Sequence, residues 1–385
     1  MASFSATQLL DGRNGYVSLW HGRIDGADRE IGEALASWGK THLQASPMPG
    51  SDLFLIEAKR RFFARHYEPF HDRVLGVMDA LELPPETPFD ASSLWFDVGQ
   101  FACTAALVPR ERCSDGHLRV LRNMDLTVDL SGTTPHPPSS RVLALELRPD
   151  TTHASLSMVV FDLMGAMDGI NEKGLVVVCN SHRDCNLGTP YVAEPVRHPE
   201  PGFDELQVVR YLLDLCADVP EAKEALLSLR TYYSFTPCLY MIADAAGRSA
   251  VVEKTRSGNR IVFTETQDKV NAMTNFGRSR FPEDAGLPTR DGPEEGFVYT
   301  RYRTVSDALM EGAALTEEDV SAIAARVAFD ALPGPEDGNP QAPARTPWTG
   351  IYDIDAQTLR VSCYTGDAAG AATRSHPIEF SLSKG

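Results

Sequence analysis

The sequence predicts an α+β fold in which antiparallel sheets are stacked and helices lie outside them. Three observations carry this expectation. Residues 1–102 show mostly helical spacing. Strand patterns dominate from Cys103 to about residue 180. Helices, further strands and a last hairpin then follow in blocks, not in strand–helix alternation.

In chain order, Tyr16-Val17-Ser18-Leu19-Trp20 reads as a strand. Asp28 to Leu43 is a helix, because Ile31, Leu35, Trp38 and Leu43 recur at helical intervals. A longer helix is expected from Asp52 to Leu83, with Ile56, Phe63, Tyr67, Phe70, Val74 and Met78 near one face. Its basic residues Lys59, Arg60, Arg61 and Arg65 read as a solvated stripe, and the prolines from Pro84 to Pro88 end it. Strands are expected at 103–109, 118–125, 141–147, 155–163 and 174–180, the first two joined by a turn at Asp115-Gly116. Helices follow at 203–216 and 219–230, where Pro220 suits a first turn and Asp218 a cap. Strands return at 238–244, 249–254 and 260–265, then helices at 300–312 and 316–330. The proline-rich stretch 332–347 reads as a loop, and Ile351–Asp353 with Leu359–Ser362 as a closing hairpin. The chain thus divides into a mostly helical lead segment, 1–102, and a strand-rich part, 103–385.

Composition narrows the function. The 385 residues are 43% hydrophobic, enough for a substantial core. A formal charge of −17 makes binding to a phosphate backbone a poor expectation, so no nucleic-acid partner is assigned. No apolar run is long enough to span a bilayer and no secretory signal opens the chain, so no membrane partner is expected either. Seven cysteines without a Cys-x-x-Cys pair argue against a disulfide framework and a zinc site, which suggests a reduced, cytoplasmic protein.

The candidate chemistry centres on Cys103-Thr104-Ala105-Ala106-Leu107 and the returning strand Leu118 to Asp125, which contains Arg122-Asn123-Met124-Asp125. The hairpin carries Arg122 and Asp125 back towards Cys103. A guanidinium beside a sulfur favours thiolate, and a carboxylate orients an amine. A lone cysteine in a strand is more often a core residue. A papain-like enzyme would place a histidine well downstream, yet none lies between His198 and His376; His182 reads as a polar loop residue.

These motifs, with Gly169-Ile170-Asn171-Glu172-Lys173-Gly174-Leu175, resemble the choloylglycine hydrolase group of N-terminal-nucleophile (Ntn) hydrolases. So do Met241–Gly247 with Val251-Val252-Glu253, Met273-Thr274-Asn275-Phe276 and Thr300-Arg301-Tyr302. The long segment before the cysteine resembles the acyl-coenzyme A:6-aminopenicillanic acid acyltransferase branch, grouped with the C45 peptidases. The resemblance implies a four-layer αββα sandwich of two antiparallel sheets. It implies a precursor that cuts itself between Ala102 and Cys103, although glycine is frequent where Ala102 stands.

The catalytic set it implies is Cys103 as nucleophile, Arg122 against the sulfur, and Asp125 on the new amine. Asn180 and Asn275 would be active-site asparagines, and Arg301 would support the site with Arg303 as the alternative. Asn180 also has a plain reading as a strand-end residue. Cys113, Cys179 and Cys185 read as bystanders. No metal or organic cofactor is implied. The partners implied are a small N-acyl substrate and the chain's own cleaved lead segment, with a homo-oligomer left open. The expected activity is hydrolysis of a linear amide through a thioester. The alternatives are acyl transfer to a small amine and, in a different class, a non-catalytic binding module on the same fold.

Overall fold

The computed structural model describes residues 3–382 apart from 51, 98–100, 130–136, 138–139, 183–199, 235, 255–260, 282–285, 292–296 and 332–343. It is a mixed α/β structure built on two large sheets. Nine strands form the first, in the order β1 (Ser3–Leu10), β2 (Ser18–Gly26), β7 (Arg141–Pro149), β8 (Ser155–Val159), β9 (Asp168–Asn171), β10 (Val176–Ser181), β11 (Cys238–Ala243), β12 (Arg248–Lys254) and β13 (Ile261–Gln267). The second runs β14 (Asn271–Met273), β5 (Phe101–Val108), β6 (Arg119–Thr127), β15 (Ala344–Asp353), β16 (Thr358–Ala368) and β17 (Ala371–Arg374), with β18 (Ile378–Ser381) also on β16. β3 (Ser46–Pro49) and β4 (Phe89–Trp95) pair separately. The pairings are antiparallel except for β2 with β7, which is parallel.

Seven helices are described: α1 (Asp28–His42), α2 (Leu53–His66), α3 (Glu68–Ala80), α4 (Glu205–Leu215), α5 (Val219–Ser228), α6 (Val298–Met310) and α7 (Glu317–Arg326). α4 packs on β9 and β10, and α5 on β11 and β12. α6 packs on β5 and β14, and α7 on β6 and β15, while β5 and β10 bring the two sheets together. None of the described helices is long and apolar enough to cross a membrane.

The expected hairpin is present. Cys103 faces Met124 and Ala105 faces Arg122 across β5 and β6, and Gly116 in the connection has φ +73°, where a side chain would be strained. Alternation along β5 sorts its side chains between two cores. Cys103, Ala105 and Leu107 belong to the main core with Met124 and β10, whereas Ala106 and Val108 join Leu121 and the apolar faces of α6 and α7.

The lead segment supplies β1 to β4 as well as α1 to α3, and its Leu19, Ile24, Phe63 and Val77 lie in the same core as the strand-rich part. Three expectations are corrected. The expected helix from Asp52 to Leu83 is two helices, broken at Tyr67 (φ −157°, ψ 70°). Pro69 explains the break: it has no N–H to continue the ladder and its ring would clash with a preceding carbonyl. Lys59 is not on a solvated stripe. It is 1% exposed, with its ammonium 2.9 Å from Asp90 and 2.7 Å from the Tyr232 hydroxyl. Burial of that charge is tolerated because it is paired. Finally, residues 344–347 are strand, not loop. Pro347 is accommodated where the β15–β6 register shifts between Arg345 and Trp348, so its missing N–H breaks no regular ladder.

A buried ionic network fastens α1 and α3 to α4. Arg73 donates to Asp28 at 2.7 Å and to Asp214 at 2.6 Å, and the Tyr67 hydroxyl also donates to Asp214. The helices α1 and α3 approach backbone to backbone, since a Cβ on Gly32 would meet the Arg73 carbonyl oxygen at 2.0 Å. Arg73→Ala leaves the buried Asp28 without its cation and Asp214 with only Arg210, 3.5 Å away. It should lower the unfolding free energy by about 3–5 kcal/mol, measured by denaturant titration; a change under about 1 kcal/mol would mean that the network carries little stability.

Candidate active site

Cys103 lies in β5 with no solvent exposure. Its Sγ is 3.6 Å from Met124 Sδ, beside the Arg122 guanidinium. Burial pushes the thiol up to about 12; Arg122 opposes that rise and the Asp125 carboxylate adds to it. Among the described residues no histidine shares a hydrogen bond with this thiol. His182, expected in a loop, is buried at the end of β10, donates its N–H to Pro237 O at 2.7 Å, and packs against Gly277.

Arg122 is fully buried and saturated. It donates through Nε to Asp168 (3.0 Å), through Nη1 to Asn123 O (2.6 Å) and Asn180 Oδ1 (3.2 Å), and through Nη2 to Met124 Sδ (3.1 Å) and Cys179 O (3.2 Å). Asp168 is held in turn by the Tyr352 hydroxyl. Asn180 therefore links the two sheets: its oxygen accepts from Arg122 and its NH2 donates to Thr274 O at 3.0 Å.

A second polar group surrounds the backbone of Cys103. β14 pairs with β5, and the chain leaving it places Asn275 over the nucleophile. The Cys103 N–H donates to Asn275 Oδ1 at 3.0 Å, and Arg301 Nη2 donates to the same oxygen at 2.7 Å. The Asn275 NH2 donates to Ser181 O at 2.9 Å and Ser181 Oγ at 3.0 Å. Two donors on one side and a carbonyl on the other fix this orientation. Arg301 Nη1 donates to Cys103 O at 2.8 Å and Thr104 Oγ1 at 2.7 Å, and lies 3.4 Å from Asp125. Asp125 also accepts from Thr346, and burial raises its carboxyl to about 6. Arg303 instead donates to the Pro288 and Thr289 carbonyls.

The structure thus gathers Cys103, Arg122, Asp125, Asn180, Asn275 and Arg301 around one backbone position. In the continuous chain Asp125 reaches Cys103 through Arg301, and Asn275 holds the Cys103 N–H directly. Cys179 is an engaged neighbour, since its carbonyl accepts from Arg122. Cys113 lies apart in the α6–α7 core, and Cys185 lies outside the described residues. Sequence reasoning missed Asp168, Tyr352, Ser181, Thr104 and Thr346. Asp168 immediately precedes the Gly169–Leu175 motif, which was the one available signal.

Asp125→Asn has two effects of opposite sense. Removing the negative charge that raises the thiol should move the pH profile of Cys103 alkylation to lower pH in unfolded-corrected measurements on the native protein. Losing the carboxylate should also slow processing or turnover. A soluble variant with full activity and an unmoved alkylation profile would show that Asp125 has no part in the site.

Residues 115–294 match the family model of acyl-coenzyme A:6-aminopenicillanic acid acyl-transferase. The span includes Arg122, Asp125, Asn180 and Asn275, and ends before Arg301. The match covers less than half of the chain and begins after Cys103. A comparison with curated proteins finds no match. Among solved structures, the chain is similar to a C2A mutant of conjugated bile acid hydrolase from Clostridium perfringens, with 17% identity, 71% of this chain and 92% of that chain covered, and a TM-score of 0.46. Penicillin V acylase from Agrobacterium tumefaciens gives 16%, 68%, 83% and 0.44 for the same quantities. The Caenorhabditis elegans ortholog of N-acylethanolamine-hydrolyzing acid amidase gives 13%, 66%, 93% and 0.35.

Proposed function

We propose that the chain is a self-processing N-terminal-cysteine amidohydrolase on an Ntn-type αββα four-layer sandwich. The observation that carries this is the set of fixed partners around Cys103: a cation beside its sulfur, Asn275 on its N–H and Arg301 on its carbonyl oxygen. An amide nitrogen is no base, and among the described residues no histidine serves the thiol. Cleavage before Cys103 turns that nitrogen into an α-amine with an ordinary pKa of roughly 7.7–8.0, beside the sulfur it must deprotonate.

Cys103 Sγ attacks the Ala102 carbonyl carbon. The C–N bond breaks as the thiol proton passes to nitrogen, leaving Ala102 on sulfur as a thioester. Water then releases the lead segment as a carboxylate and restores the thiol. In the mature enzyme the α-amine takes the thiol proton, Sγ attacks a substrate amide, and the proton goes to the departing amine. Water hydrolyses the second thioester. The thiol is fully buried in the continuous chain, which suits an inactive precursor. The mature enzyme, released from this zymogen, works in the cytoplasm on a small N-acyl compound. Acyl transfer is the second reading, favoured by the matched family's description: a small amine replaces water at the thioester.

A panel of N-acyl amino acids, β-alanyl amines, phenoxyacetyl amides and bile-salt conjugates tests this, with amine release as readout and a simple primary amine added as acceptor. Acid alone marks hydrolysis, and a new amide of the added amine marks transfer. Absence of both, together with no acyl adduct on Cys103 by mass spectrometry, overturns the enzymatic reading.

A further inference from the structure

The residue that self-cleavage uses as its acyl group shows where a substrate's acyl group sits, and how large it is allowed to be. This rests on the self-processing reading above. The thioester formed in processing carries Ala102 on Cys103 Sγ, and the thioester of turnover carries the substrate acyl group on the same atom. Both must be opened by water in one polar setting.

Ala102 lies opposite Asp125 in the β5–β6 ladder and is 5% exposed. Its methyl group is packed in a small apolar cluster with Phe329 and Ala344, apart from the main core that holds the Cys103 side chain. Phe329 is not a wall that swings away. The Arg301 guanidinium lies 5.0 Å from its ring centroid, and its N–H donates to Thr346 Oγ1 at 2.9 Å. Thr346 donates to Asp125. The wall is therefore tied to two of the polar groups around the nucleophile, and moving it disturbs them.

We infer that Phe329 and Ala344 form the subsite for the α-carbon of the acyl group and set its specificity. The preferred substrates are amides of acids whose α-carbon carries no side branch larger than methyl. Bulkier branches would overpack the niche, because a filled core site yields only by displacing its neighbours.

Self-cleavage reports on this niche without knowledge of the natural substrate. Wild type, Ala102→Gly, Ala102→Leu, and Ala102→Leu combined with Phe329→Ala or Phe329→Leu are followed by intact mass after synthesis, with thermal unfolding as a check on folding. Ala102→Gly should cut as wild type does. Ala102→Leu should be folded and cut at least about tenfold more slowly, and one of the Phe329 changes should restore cutting to within about threefold. In mature wild type, the burst of nitrophenolate from p-nitrophenyl 2-methylpropanoate, whose α-carbon bears one methyl branch, should approach that from the propanoate. The 3-methylbutanoate, unbranched at that carbon, should keep it too, whereas the 2-propylpentanoate should lose it by at least about tenfold. Wild type that is cut while Ala102→Leu is cut equally fast, or slow cutting that neither Phe329 change relieves together with equal bursts for all esters, overturns the subsite. Wild type that stays whole overturns the self-processing reading itself, and the subsite with it.

Discussion

The purified protein should consist of two chains, divided between Ala102 and Cys103 and still bound to each other. By length the lead chain is 102/385 of 42.1 kDa, about 11 kDa, leaving about 31 kDa for the chain that begins Cys-Thr-Ala-Ala-Leu. The two should copurify, because the lead chain shares the main core through Leu19, Phe63, Phe70 and Val77 and the buried network through Arg73 and Asp214. Non-polar burial on that scale does not depend on one peptide bond. Cys103→Ala removes the only atom that attacks the Ala102 carbonyl in this mechanism, so it should remain one chain and show no turnover. Denaturing intact-mass analysis reads both outcomes. A wild-type enzyme that is active as a single uncut chain would refute the N-terminal-nucleophile mechanism and require another base.

Asn275→Ala should reduce kcat by about 10²–10³-fold and delay processing while the protein stays folded. The side chain touches both ends of the problem. It accepts from the Cys103 N–H, the nitrogen on which the amine forms, and from Arg301, which holds the Cys103 carbonyl. Its NH2 is anchored on Ser181. Alanine leaves two buried donors short of an acceptor, a cost of about 1–3 kcal/mol for each against the 5–15 kcal/mol typical of a stable domain. Folding should survive, and the loss should fall on the transition state. Near-normal kcat with intact thermal unfolding would remove Asn275 from the site.

The nucleophile's hairpin was legible because its signals are local. Asp115-Gly116 marks the turn, a run of small and apolar residues marks the first strand and an alternating pattern the second, and the register that results sets Met124 opposite Cys103. The helix at Asp28, the strands from Arg141 onward and the capped helix after Asp218 were legible for the same reason. What escaped depends on partners far away in sequence. Lys59 falls at a basic position of a helical wheel, yet its partners Asp90 and Tyr232 are 31 and 173 residues distant. β1 has no strong strand pattern, and its place is set by pairing with β2. Asp168 and Tyr352 join the site only because one sheet lies across the other, so no spacing within either segment announces the pair. Thr346 was hidden in a proline-rich stretch whose strand character depends on a register shift against β6.

The parallel pairing of β2 with β7 gives the molecule a history. Its ladder joins residues 18–26 to residues 141–149, on opposite sides of the Ala102–Cys103 bond. While that bond is whole, the two strands meet as parts of one polymer, and the cost of closing the intervening loop grows only slowly with its length. Once the bond is broken, the same ladder would have to be rebuilt by two separate molecules finding each other at whatever concentration the solution holds. The folded enzyme would then be inherited from its precursor and not renewable from its pieces. Its lifetime would be set by how slowly it first opens, a kinetic quantity, and not by any equilibrium between folded and unfolded forms.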